Sequence, residues 1–63
     1  MEKNWVAIYK SKHLHKIEIM KGLLADNNIE AVVVNKQDSS YLFGEIELYV
    51  KSGDVIKAKY LIK

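Results

Sequence analysis

Residues 45–50, Glu-Ile-Glu-Leu-Tyr-Val, alternate without interruption, so that in an extended chain Ile46, Leu48 and Val50 fall on one side and Glu45, Glu47 and Tyr49 on the other. The polar run Asp38-Ser39-Ser40 and then Gly44 precede them, which is the chemistry of a turn. A strand patterned this way requires one dry face. It therefore predicts a sheet with apolar elements packed on one side, and a second face that is either wet or partnered.

The remaining elements can be placed around that strand. Residues 4–10 (Asn-Trp-Val-Ala-Ile-Tyr-Lys) are β-branched and aromatic and predict a first strand, with Val6 and Ile8 on one face and Trp5, Ala7 and Tyr9 on the other. Ser11 is the expected N-cap of a helix over residues 12–27, whose inward stripe is Leu14, Ile17, Met20 and Leu24. Ile19 and Leu23 widen that stripe, which suits packing on a second helix, single exposure, or a subunit contact. Asn27-Asn28 should end the helix, because asparagine tolerates the left-handed conformation of a C-terminal cap. Residues 29–35 carry three consecutive valines and predict a second strand largely covered on both sides. After the alternating strand, Ser52-Gly53-Asp54 supplies helix-start chemistry, and Val55, Ala58, Leu61 and Ile62 form the inward stripe of a short final helix.

This order predicts an α+β, ferredoxin-like β-α-β-β-α domain over residues 1–63: a three-stranded sheet in the order 1-3-2 with two helices on one face. Such folds normally add a fourth strand beside the first, so the first strand is expected to be an open edge, available for strand addition. The face away from the helices is expected to carry Trp5, Tyr9 and Tyr49 beside Glu45 and Glu47. That much aromatic surface beside an open edge predicts that the edge, the face or both are buried by a second copy, hence a homodimer.

Composition narrows the function classes. A 63-residue chain without cysteine has neither a disulfide framework nor a thiolate metal site, and its small core makes association an expectation. The apolar runs are too short to span a bilayer, and Met1 leads into Glu2-Lys3-Asn4 without the apolar region of a secretory signal, so a cytoplasmic location is expected. All ten cationic residues are lysines, and without the bidentate fork of arginine, sequence-specific nucleic-acid recognition is disfavoured.

Residues 28–35, the run Asp38-Ser39-Ser40-Tyr41, Gly44, residues 45–50 and Ala58 together resemble a family of very small bacterial proteins described as signal-transducing. The likeness covers nearly the whole chain, and it implies a fold similar to the ferredoxin-like ACT and PII regulatory domains and a regulatory, binding role. One departure is Asn28, where the family usually has glycine. There is no room here for the long nucleotide-binding loop of PII proteins, so no nucleotide site is implied.

Two surfaces are candidate sites. The turn Asp38, Ser39, Ser40 and Tyr41 with Gly44 offers hydroxyls, a carboxylate and close backbone approach to a small polar ligand, or else only fixes the register of a hairpin. Trp5, Tyr9, Glu47 and Tyr49 are the expected self-association or partner surface. Lys10, Lys12 and Lys16 surround a helix start that attracts anions, or form a solvated basic face. His13 and His15, two apart, cannot share a metal on a helix, and no metal or cofactor is expected. No nucleophile is paired with a base, so the chain is expected to be no enzyme but a regulatory or adaptor module that binds a small ligand or a protein. The alternatives are a single-stranded RNA-binding module, using sheet-face aromatics, and a structural subunit completing an assembly by strand addition.

Overall fold

The structure, a computed structural model, describes residues 4–37 and 44–62. The elements run β1 (Trp5–Ser11), α1 (Leu14–Asp26), β2 (Ala31–Asn35), β3 (Ile46–Lys51) and, after a 3-10 turn at Ser52–Asp54, α2 (Val55–Ile62). The strands form one antiparallel sheet in the order β1-β3-β2, the split βαβ arrangement expected from the order of the elements. The alternating strand is the central one.

Ile46, Leu48 and Val50 are fully buried and meet Ile17 and Leu24 of α1, Ala58 of α2 and Ile29, so both helices cover the same face of β3. Val55, Leu61 and Ile62 of α2 and Met20 of α1 close the periphery of this core. Leu14 was expected in the inward stripe but is 43% exposed. The cause is the helix start: Ser11 belongs to β1, its Oγ accepts a hydrogen bond from the His13 N–H at 3.0 Å, and His13 takes the N-cap position. Leu14 thus becomes the first residue of α1, at the end of the helix rather than within its inward stripe.

The other end of α1 is closed as asparagine chemistry requires. Asn28 has φ 62°, its N–H donates to the Ala25 carbonyl at 3.1 Å, and the Ile29 N–H donates to the Leu24 carbonyl at 2.9 Å. This pair of bonds is a Schellman cap, completed by the buried contact of Ile29 with Leu24. Ile29 is thereby delivered to the core, and the chain is aimed into β2.

Two expectations about the strands need correction. β2 is an edge strand, and its three valines do not lie between two layers: Val33 pairs with Leu48 on the helix side, whereas Val32 and Val34 pair with Tyr49 and Glu47 on the open side. β1 does not alternate throughout. Its register to β3 runs Val6 with Val50 and Ala7 with Tyr49, then skips Ile8 to pair Tyr9 with Leu48 and Lys10 with Glu47. Ile8 is the extra residue of a β-bulge, so Tyr9 turns to the helix side, where both it and Ile8 pack on the core.

The hairpin between β2 and β3 is held at its described ends. The Lys36 N–H donates to the Glu45 carbonyl at 3.2 Å, and Gly44 has φ 86°. A Cβ at Gly44 would lie 2.5 Å from the Lys36 carbonyl oxygen, so the two backbones approach in a way that only glycine permits.

Two stability outcomes follow. Asn28→Ala is expected to lose about 1 kcal/mol and Asn28→Gly to lose nothing or gain a few tenths, since only glycine enters the left-handed region without strain. Leu48→Ala is expected to lose about 2–5 kcal/mol, enough to unfold a domain of this size. Urea denaturation followed by far-UV circular dichroism measures both, and equal midpoints for the two Asn28 variants would refute the cap assignment.

Candidate functional site

The sheet face opposite the helices is built in three rows. At one end the Trp5 ring lies beside Lys51, whose Nζ is 5.9 Å from the ring centroid and 3.6 Å from Glu30 Oε1. Ala7, Tyr49 and Val32 cross the middle of the sheet. Lys10, Glu47 and Val34 form the other end, with Lys36 reaching in from beyond β2. Trp5, Ala7, Tyr49, Val32 and Val34 are all half-buried, and they make a continuous apolar band.

Glu47 anchors this face. Its Oε1 accepts a hydrogen bond from the Tyr49 hydroxyl at 2.6 Å and faces Lys36 Nζ at 3.1 Å; its Oε2 faces Lys10 Nζ at 3.7 Å. These neighbours lie over the carboxylate and leave Glu47 only 8% exposed, although no helix covers it. The Tyr49 hydroxyl and then the Lys36 ammonium hold the carboxyl below its ordinary range, against the opposing effect of desolvation. The same contacts raise the pKa of Lys36 and of Tyr49, in both cases chiefly through the hydrogen bond to Glu47. All three groups are thus held in their neutral-pH protonation states. A carboxylate pushed down and a phenol pushed up are poorly matched to proton transfer near neutrality, and well suited to fixing side chains in place.

The residues singled out from sequence separate into three sets. Trp5, Glu47 and Tyr49 share the open face, as expected. Tyr9 does not join them: the bulge at Ile8 places it on the helix side, over which Lys16 Nζ sits 5.8 Å from the ring centroid. Asp38, Ser39, Ser40 and Tyr41 lie outside the described residues, and Gly44 has a sufficient backbone reason for its identity. The lysines near the first helix are also divided, Lys10 going to Glu47 on the open face and Lys16 to Tyr9 on the other. His13 and His15 are both exposed.

Sequence reasoning missed Lys10, Lys36, Val32 and Val34 as members of this face. A signal existed for Lys10. Strict alternation from Val6 and Ile8 would aim it into the core opposite Ile46, which a lysine resists.

The sign of the pH dependence follows from these shifts. Glu47 has a folded pKa below its unfolded one, so its contribution is complete above the ordinary glutamate value of about 4.3 and is lost as pH falls through the lower folded value. Lys36 and Tyr49 are raised, so theirs is complete below about pH 10 and lost as pH rises further. Glu47→Gln is therefore expected to lower the urea midpoint across roughly pH 5 to 9, and the gap to wild type should close on either side of that window. A gap that stays constant from pH 3 to pH 11 would show that the cluster is not what Glu47 contributes.

No curated protein and no solved structure matches the chain. The model of one family does, over residues 5–63, which takes in every strand and helix described above. On that match the chain belongs to the family described as putative prokaryotic signal transducing protein.

Proposed function

We propose that this chain is a non-enzymatic, cytoplasmic regulatory or adaptor module of signal transduction, working by association through the open face of its sheet, with a second copy of itself as the first partner. The observation that carries the reading is the apolar band of Trp5, Ala7, Tyr49, Val32 and Val34 on a face that no helix covers. The core is already complete on the other side, so folding alone leaves the exposed half of this band facing water.

Its polar neighbours fit association rather than chemistry. Glu47 pairs with both Lys10 and Lys36, and Lys51 is engaged by Trp5 and Glu30, so the face presents apolar surface rimmed by charges that have partners within the chain. Those pairings also favour protein over single-stranded RNA, because Glu47 offsets one of the two charges of Lys10 and Lys36 and leaves little net positive charge for a phosphate backbone. A two-fold arrangement would bring the same band from each copy into contact.

Sedimentation velocity at tens of micromolar tests the reading. The wild type is expected at twice the monomer mass. Val32→Asp, a change at an edge-strand position outside the core, is expected at the monomer mass with an unchanged circular dichroism spectrum. A wild type that stays monomeric at that concentration would overturn the homodimer, and salt-sensitive binding of a labelled oligouridylate would replace it with the RNA-binding reading.

A further inference from the structure

On the helix side, the bulge that removes Tyr9 from the open face opens a second feature. Ile8 and Tyr9 of β1, Lys16 and Met20 of α1, and Lys59 and Ile62 of α2 line a cleft of about 580 Å³ where the two helices meet β1. That volume falls in the range of about 300–1,000 Å³ typical of small-molecule sites. Ile8, Met20 and Ile62 make its floor apolar, Tyr9 adds an aromatic ring with a hydroxyl, and every charged residue in the lining is a lysine. Ion pairs among the described residues engage Lys10, Lys36 and Lys51, whereas Lys16 and Lys59 have no carboxylate partner there.

From this lining we infer that the cleft binds an amphipathic organic anion: an aliphatic or aromatic body against Ile8, Met20 and Ile62, with one carboxylate or phosphate head between Lys16 and Lys59. Burial of the body supplies most of the affinity, and the two ammonium groups select the sign of the head. Lysine is a point charge without a planar fork, so the site distinguishes anion from cation or neutral head more sharply than carboxylate from phosphate. The bulge is what builds the cleft. With strict alternation Tyr9 would lie on the opposite face of the sheet, and β-bulges commonly re-aim a side chain in this way beside binding sites. The cleft and the apolar band lie on opposite faces, so this inference stands apart from the association proposed above.

The test is a ¹H–¹⁵N correlation titration of the full chain with octanoate, octyl phosphate, octylammonium and 1-octanol. Octanoate and octyl phosphate are expected to shift the amides of Tyr9, Lys16, Met20, Lys59 and Ile62 saturably, and the other two to bind at least about tenfold more weakly. The double variant K16E/K59E, both positions being exposed, is expected to lose about tenfold in octanoate affinity while its thermal unfolding stays within a degree or two of wild type. The monomeric Val32→Asp protein is expected to bind octanoate as wild type does, which keeps a failure of this site distinct from a failure of the dimer. Equal binding of all four probes, shifts confined to other residues, or no saturable shift in the millimolar range would overturn the inference.

Discussion

The placement of β3 at the centre of the sheet governs everything else in this molecule. A central strand has no free edge, so its two faces are its only means of interacting beyond the ladder, and this one uses them for opposite purposes. Ile46, Leu48 and Val50 are the floor on which both helices settle, while Glu47 and Tyr49, bonded to each other, organise the side that the helices leave open. Because successive side chains point to opposite faces, a slip of one residue would exchange these roles, placing Glu47 under the helices and Leu48 on the open face. The register is therefore enforced from both sides.

Glu47 reaches further than its own strand. By drawing Lys10 from β1 and Lys36 from the end of β2, it ties the two edge strands to the centre on the face where no helix can do so. Lys10 reaches that face only because of the bulge at Ile8, since regular pairing would point it at the core. The bulge thus resolves a conflict between a β-rich run and a lysine at its end. It also sends Tyr9 to the helix side and shapes the cleft there. A single extra residue in β1 sets the composition of both surfaces.

Much of this was legible in the sequence, and the failures have identifiable causes. The order of elements, the asparagine cap and the inward residues of α2 follow from periodicity and turn chemistry, which are local properties, and the central position of β3 follows from that order through the handedness of the crossover. Trp5 and Tyr49 were placed on the open face by the same logic. Tyr9 was misplaced because alternation is a rule about regular strands, and the residues of β1 include no glycine or proline to announce a break. The three valines of β2 were read as covered on both sides because an apolar run reports hydrophobicity and not how many layers surround it. Ser11 carries the sequence signature of an N-cap, because a hydroxyl bonding a backbone N–H two residues on and one that caps a helix look the same in sequence.

The misreading of β2 bears directly on how the molecule works. Had Val32 and Val34 been covered within the chain, the sheet would have needed a second layer of its own. Instead the chain completes one core, against the helices, and leaves Val32 and Val34 half-buried on a face that no helix covers. A domain of this size buries a modest fraction of its surface and is correspondingly close to the stability threshold. Any partner that binds only the folded form raises its stability by mass action, so folding and association become thermodynamically coupled. On the association proposed above, that coupling would make the population of well-ordered protein depend on whether the open face is occupied, which is the property a reporter of binding requires.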